Sequence, residues 1–301
     1  MFMAKRSTRK KTSIKSKKMY PVVRQSPLSL DGSPDQNAVI RVDRALSGRN
    51  HRLYRQSRVY HCKVDLDINA QNGQVVDVYA LGNSWMAKKA YGLAYDTFNE
   101  NVKEEREMAG NRLARWNDFR VDHGLGVAFQ KDLLFAGEVP GLSGVHKFGT
   151  SDSEYVMSEV RDASSNQNTF RWSGTGSGTW NIIDEYDVTG NSDSTPAAPS
   201  TDAAYSSLED EIDVGTMEHL QDDGNNPPYD KDTIHNEVWV KVATLSVNNA
   251  GTQKLSTGYF EAPCGLIAVM SSAPLANDST VLNLEVKAGD YKGVHAPSYL
   301  E

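Results

Sequence analysis

The chain has 301 residues, of which 39% are hydrophobic and 24% charged, with a net charge of −7 and two cysteines. This composition is typical of a soluble globular protein and excludes a disulfide-stapled scaffold. No apolar run is long enough to span a bilayer, so no membrane-spanning segment is predicted. The basic N-terminus is not followed by an apolar core, so no secretory signal is predicted either.

The basic residues are concentrated at the N-terminus. Eight of the first eighteen residues are Lys or Arg, whereas residues 31–301 carry 23 basic and 39 acidic groups, a net charge of −16. We predict that residues 1–40 form a disordered arm that binds nucleic acid by releasing counterions from phosphate. An import signal or a solubilising tail is the alternative. The arm's candidate contact residues are Lys5, Arg6, Arg9, Lys10, Lys11, Lys15, Lys17 and Lys18.

A second basic segment follows in RNHRLYRQSRVYHCK, where every third residue is an arginine: Arg49, Arg52, Arg55 and Arg58. Arginine binds phosphate in a bidentate manner and stacks on aromatic rings; His51 and Tyr54 lie between these arginines, and Tyr60 follows Arg58. The segment therefore either extends the nucleic-acid surface onto the folded domain or forms salt bridges to the acidic remainder. The residue types favour both interpretations equally.

From Arg58 onward the chain alternates between apolar and polar residues, which predicts a half-buried strand. The apolar face is Tyr60, Cys62, Val64, Leu66 and Ile68. Asn72-Gly73 suits a tight turn, so we predict a hairpin in which residues 74–81 form the return strand. Cys62 and Cys264 both lie in apolar runs and are predicted to be buried thiols.

Residues 84–109 break the alternation and predict a helical insertion, with apolar residues three or four apart and Ser84 as the N-cap. Short strand-like runs then return, which predicts an all-β sandwich or barrel. One interval differs, because residues 181–232 hold fourteen carboxylates and one base, Lys231. We predict a long acidic surface excursion there.

No nucleophile elbow or histidine pair with metal spacing occurs in the sequence, so no catalytic function is predicted. Asp122 and His123 are adjacent and would point to opposite faces of a strand, which makes them poor partners. Asp65 and Asp67 share a strand face and are candidate ligands for an inter-subunit Ca²⁺. Two ligands do not make a site, so a solvated strand face is favoured and no cofactor is expected.

The sequence resembles the capsid proteins of small circular single-stranded DNA viruses of the bacilladnavirus type, which infect diatoms. The resemblance is carried by the basic arm and by three segments: NHRLYRQSRVYHCKVDLD, ARWNDFRVDHG and LEVKAGDYKGVHAP. It covers about residues 40–130 and 235–298, and it does not extend over residues 140–232.

This resemblance implies a single jelly roll, an eight-stranded antiparallel β-sandwich that assembles into an icosahedral, T=3-like shell. It implies domains at 1–40 (arm), 41–180 (first jelly-roll strands), 181–232 (projection) and 233–301 (last strands and tail). The arm would contact the viral genome, with the protein located in the virion and, during assembly, in the host nucleus. No membrane partner is expected, and the receptor is unknown.

Beyond Gly289, Lys292, His295 and Pro297 are expected on the surface. Two other classes of function stay open from the residues alone. One is a non-viral β-fold nucleic-acid-binding protein, which would share the basic arm. The other is a carbohydrate-active β-sandwich enzyme with carboxylates on the loops of 181–232, where a suitably spaced pair could arise.

Overall fold

The structure is a computed structural model that describes residues 21–29, 37–70, 73–108, 116–125, 134–135, 157–161, 167–174, 178–190, 238–249, 251–273 and 281–300. This part of the chain is mostly β, and its two larger sheets are antiparallel. The helices are α1 (Val42–Asn50), α2 (Trp85–Asn101), α3 (Lys103–Met108) and α4 (Ile182–Gly190). The strands are β1 (Gln25–Ser29), β2 (Asn37–Arg41), β3 (Val59–Ala70), β4 (Val75–Leu81), β5 (Leu134–Phe135), β6 (Glu159–Arg161), β7 (Gln167–Arg171), β8 (Thr179–Asn181), β9 (Trp239–Ser246), β10 (Gly251–Ser256), β11 (Phe260–Pro263), β12 (Leu266–Ser271) and β13 (Val281–Val286).

The strands form three sheets. The largest has the order β10-β3-β13-β1-β5, with β11 also paired to β3. The second has the order β2-β12-β4-β9, and a small third sheet has the order β6-β7-β8. Within the described residues, most neighbours in the two larger sheets are far apart in sequence, so long-range contacts hold these sheets together.

The two larger sheets enclose one hydrophobic core. The predicted apolar face of β3 is buried at all five positions, from Tyr60 to Ile68. These side chains belong to the same cluster as Val78 of β4 and Val269 of β12 in the opposite sheet. The alternation therefore identified the core face of β3 correctly, because successive side chains of a strand point to opposite sides.

The predicted hairpin between β3 and β4 is wrong. Both strands exist, but β3 pairs with β13 on one edge and with β10 and β11 on the other. No edge of β3 is left for β4, which pairs with β12 and β9 instead. Gly73 (φ 76°) donates from its backbone to Val247, 3.1 Å away, and the chain there crosses from one sheet to the other. Turn-forming residues permit a reversal of direction, but they do not decide whether the strands pair edge to edge.

The predicted helical insertion is confirmed as α2 and α3. The Ser84 hydroxyl accepts a hydrogen bond from the backbone of Ala87 at 3.2 Å and caps the first turn of α2. Met86, Ala90 and Phe98 are buried on one side of this helix, as their spacing predicts. Among the described residues, no helix is long and apolar enough to cross a membrane.

A second core packs between α2, α4 and the small sheet. Tyr91 of α2 stacks on Trp172, with ring centroids 5.8 Å apart and planes inclined by 9°. Ile182 and Ile183 of α4 are buried in the same cluster. The predicted surface excursion therefore begins with a packed helix at its N-terminal end, and residues 191–232 lie outside the described residues.

The C-terminal segment is packed into the fold more deeply than predicted. Lys292 and Pro297 are exposed, as expected, but His295 is only half-exposed, and Val294 and Tyr299 are buried. The backbones of Val59 and His61 donate to the carbonyls of Pro297 (3.0 Å) and His295 (3.2 Å). This segment therefore continues the large sheet beside the start of β3 and brings Lys292 close to the predicted basic segment.

Candidate nucleic-acid interface

The structure describes the second predicted basic segment in full. Of the predicted arm, residues 1–40, it describes residues 21–29 and 37–40, where β1 pairs with β13 and β2 begins, so the prediction of disorder up to residue 40 is wrong for these residues. The arm residues from Lys5 to Lys18 lie outside the described residues, so their role stays a prediction. Arg49 lies exposed in the last turn of α1, where a positive charge complements the helix dipole. The remaining three arginines occupy the connection from α1 to β3.

This connection directs its arginines outward because two residues between them, Tyr54 and Gln56, are buried and anchor it. Tyr54 and Gln56 are 1% and 0% exposed. The Gln56 side-chain amide donates to the Val121 carbonyl at 2.9 Å and accepts from the Val121 backbone at 2.6 Å. The arginines on the outer side are Arg52, Arg55 and Arg58, of which Arg55 has 54% of its side chain exposed.

Two cations lie over the ring of Tyr291, which belongs to the C-terminal segment. The Arg58 guanidinium carbon lies 4.3 Å from the ring centroid, and the Lys292 ammonium lies 5.2 Å from it. The Arg55 backbone donates to the Tyr291 hydroxyl at 3.2 Å. Cations over aromatic faces are attracted by the ring quadrupole. The charges of three arginines act on Lys292, and we call these four side chains the cationic cluster: Arg52, Arg55, Arg58 and Lys292.

The environment of Lys292 indicates that the positive charge of the cluster exceeds the negative charge beside it. Partial burial and the charges of Arg55, Arg58 and Arg52 lower the pKa of Lys292, against which Asp118 acts. Its ammonium donates to the Leu53 carbonyl and lies 5.9 Å from the Tyr54 ring centroid. Because like charges raise the free energy of the cluster, an anion bound among them would be stabilised. Phosphate matches this geometry, since guanidinium groups bind it in a bidentate manner.

Asp118 is the carboxylate beside this cluster. One carboxylate oxygen lies 4.0 Å from Arg55 Nε, and the other accepts from the Gln56 backbone at 3.0 Å. Burial raises the pKa of Asp118 to about 6, although the Gln56 hydrogen bond and the charges of Arg120 and Arg55 lower it. Below that pH the carboxyl is neutral and the cluster is more positive. Sequence reasoning did not single out Asp118, because no local pattern indicates burial beside a distant lysine.

The candidate metal ligands are engaged by other side chains. Asp65 lies 3.2 Å from Lys63 and accepts a 2.5 Å hydrogen bond from Ser256. Asp67 lies 3.8 Å from Lys254. The part of the chain that the structure describes contains no group of three or more His, Cys, Asp or Glu residues arranged to hold a metal ion. Both cysteines are buried free thiols, as predicted, and burial raises their pKa.

Asp122 and His123 are closer partners than predicted. The His123 ring lies 3.8 Å from the Asp122 carboxylate, because this stretch makes only an isolated bridge and is not a regular strand. The carboxylate also pairs with Arg41 at 2.9 Å and with Arg171 at 3.3 Å. The Arg41 side chain is 4% exposed. This arrangement links β2 to the small sheet and gives Asp122 a structural role.

Comparison with known proteins does not place the chain. No protein family model, curated protein or solved structure matches it. Its function is therefore inferred from the charge distribution, the strand pairing and the cationic cluster.

The Asp118→Asn substitution is expected to stabilise the protein at neutral pH. Because the pKa of Asp118 is raised on folding, the ionised carboxylate costs free energy above its unfolded pKa, and the cost is complete above about pH 6. A rise from 3.8 to about 6 corresponds to roughly 2 to 3 kcal/mol. Asparagine retains an acceptor for Gln56. Urea unfolding should show this gain at pH 7.5 and its loss as the pH falls toward 4, whereas a gain that does not depend on pH would contradict the assignment.

Proposed function

We propose that this chain is the capsid protein of a small single-stranded DNA virus, which assembles into an icosahedral shell and packages the genome through its basic arm. The observation that carries the proposal is the distribution of charge. Eight cations occupy the first eighteen residues of a chain whose remainder from residue 31 has a net charge of −16. A container for nucleic acid requires cations on one side of its wall, and an acidic exterior keeps particles from associating.

The strand pairing supports a jelly roll. When an eight-stranded antiparallel ribbon folds over on itself, the first strand pairs with the last, the second with the seventh, the third with the sixth and the fourth with the fifth. Counting β10 and β11 as one interrupted strand, the observed pairs β1–β13, β2–β12, β3–β10/β11 and β4–β9 follow this scheme. The pairs β3–β13 and β4–β12 join them into two sheets. The short strand β5 is an addition at the outer edge of β1.

The cationic cluster supports a second contact with nucleic acid, on the folded domain. In the proposed shell this cluster and the arm face the interior, and the acidic interval 181–232 faces outward as a projection. The protein would reside in the virion and, during assembly, in the host nucleus. The T=3-like geometry belongs to the proposal in the same way, as an expectation from the resemblance. The inter-subunit Ca²⁺ considered at Asp65 and Asp67 is not part of it, because the sequence favours a solvated strand face there and both carboxylates pair with lysines of their own chain.

Electron microscopy of the expressed protein tests this function. We expect closed shells of uniform diameter, because a capsid protein carries its assembly contacts on its own surface. A non-viral nucleic-acid-binding protein of the same charge would remain a monomer or small oligomer. A monodisperse small species, in the presence and absence of single-stranded DNA, would contradict the proposal.

A further inference from the structure

We propose that the cationic cluster and Trp116 form a binding site for single-stranded nucleic acid, with a backbone phosphate among Arg55, Arg58 and Lys292 and a base stacked on the indole. This inference deepens the proposed function and rests on it for the identity of the natural ligand. It assigns to the folded domain a selectivity for single strands that a basic arm does not provide, because counterion release per phosphate is no larger for a single strand than for a duplex.

The cations of this site are positioned by aromatic rings and backbone groups. Arg58 and Lys292 lie 4.3 and 5.2 Å from the centroid of Tyr291, and Lys292 also donates to a backbone carbonyl. Among the described residues, Asp118 is the carboxylate that contacts the cluster, and its 7% exposed side chain lies on the protein side of Arg55. The solvent side of the cluster is therefore left to an anion from outside.

The backbone fixes Lys292 in an uncommon conformation. Its φ of 52° is left-handed, and Gly293 follows with a φ of 91°. A long side chain rarely adopts such a backbone, and such positions cluster at functional sites. The Tyr54 hydroxyl donates to the Lys292 carbonyl at 3.0 Å and holds this turn in place. The ammonium is thus presented beside Arg55 and Arg58 by the fold itself.

An exposed aromatic ring contacts the residue next to one of these cations. Trp116 is 40% exposed and meets His51 edge to face, with ring centroids 5.5 Å apart. His51 directly precedes Arg52 of the cluster, and Trp116 lies two residues before Asp118. The Trp116 carbonyl accepts from Arg120 at 2.9 Å, which anchors its backbone. The indole is therefore held against the residue that precedes Arg52, with part of its surface exposed to solvent.

Cations beside an exposed aromatic ring are the two components of sites for single strands. The phosphate contributes affinity irrespective of sequence, and an unpaired base stacks on the ring. In a duplex the bases are already stacked and cannot reach the indole. A phosphorylated peptide or free phosphate would use the cations but would gain nothing from Trp116. A contribution of Trp116 to binding therefore distinguishes a single strand from a duplex, a phosphorylated peptide or free phosphate.

The test compares variants of the full-length, unassembled protein by fluorescence anisotropy with a labelled oligothymidylate and a labelled duplex of the same length. Trp116→Ala should weaken binding to the single strand roughly tenfold and leave duplex binding unchanged. Trp116→Phe should retain most of the affinity. The double variant Arg58→Gln, Lys292→Gln should weaken binding to both ligands, and it should reduce the salt slope for the single strand by about 0.7 per lost phosphate contact.

Trp85→Ala is the matched control, since Trp85 is 45% exposed on α2 and contacts Tyr186. It should bind both ligands like the parent. Unchanged binding of the single strand by Trp116→Ala, or an equal loss for single strand and duplex, would overturn the inference. So would an equal effect of Trp116→Ala on binding of a phosphorylated peptide. Far-ultraviolet circular dichroism of each variant checks that it is folded.

The outcome is separable from the proposed function. If no shells form but Trp116→Ala selectively loses single-strand binding, the site is correct and the capsid function is wrong. If shells form and package nucleic acid but Trp116→Ala binds like the parent, the capsid function stands and this site is wrong.

Discussion

Particles whose N-terminal arm has lost its positive charge are expected to contain little or no nucleic acid. The change replaces all eight basic residues from Lys5 to Lys18 with serine or glutamine. Each cation that neutralises a phosphate releases condensed counterions, so the affinity of the arm depends on how many it carries. The ratio of absorbance at 260 and 280 nm of purified particles, with extraction of protected nucleic acid, measures the packaged load.

A charge-preserving variant provides the control for the arm. Exchanging every Lys for Arg and every Arg for Lys in the same eight positions retains the charge, so packaging should match the parent. Assembly of the folded domain is expected in both variants, because residues 5–18 contain one apolar residue, Ile14, and such a polar segment is expected to contribute little to folding. Neutral-arm particles that carry a full load would show that the folded domain, and not the arm, packages the genome.

The Asp122→Ala substitution is expected to destabilise the fold by about 3 kcal/mol or more, because it leaves a buried arginine without its carboxylate. Arg41 is 4% exposed and lies 2.9 Å from Asp122, which also pairs with Arg171. Burial of Asp122 opposes its ionisation, but the charges of His123, Arg41 and Arg171 outweigh it and hold its pKa below the ordinary value. Urea unfolding at pH 7 measures the loss.

The pH dependence and an exposed ion pair supply the controls for Asp122. Since the pKa of Asp122 is lowered on folding, its contribution is present above the unfolded pKa near 3.9 and is lost as the pH falls through the folded value. The difference in the free energy of unfolding between the parent and Asp122→Ala should therefore become smaller in acid. Asp67→Ala removes an exposed pair with Lys254 and should cost less than about 1 kcal/mol. Equal losses from both substitutions would contradict the role of Asp122.

Local periodicity was enough to predict β3 and α2 but not the partners of β3. The alternation from Tyr60 to Ile68 identified a buried strand face, and the spacing after Ser84 identified α2, because both patterns report which side of an element meets the core. The hairpin was wrong because the pairing of β3 depends on strands more than 180 residues away. Helix α1 was not predicted, since its nine residues follow the apolar run of β2 directly.

The sequence predicted only part of the candidate site. Arginine spacing singled out Arg52, Arg55 and Arg58, because their pattern is visible within one segment. Tyr291 and Lys292 come from the opposite end of the chain, and the packing of the C-terminal segment against β3 brings them to the arginines. Asp118 and Trp116 likewise depend on tertiary contacts. Residues that a strand register or a packed tail brings together leave no local signal in the sequence.

The proposed orientation of the subunit in a shell is tested most directly by a cryo-electron microscopy reconstruction of the assembled protein with its nucleic acid. We expect a closed shell in which the face bearing Tyr291 and its surrounding cations lines the lumen, beside density for nucleic acid, while the 181–232 interval projects outward. A shell with that face on the exterior, or a lone subunit whose leading residues lie against its own acidic surface, would contradict it.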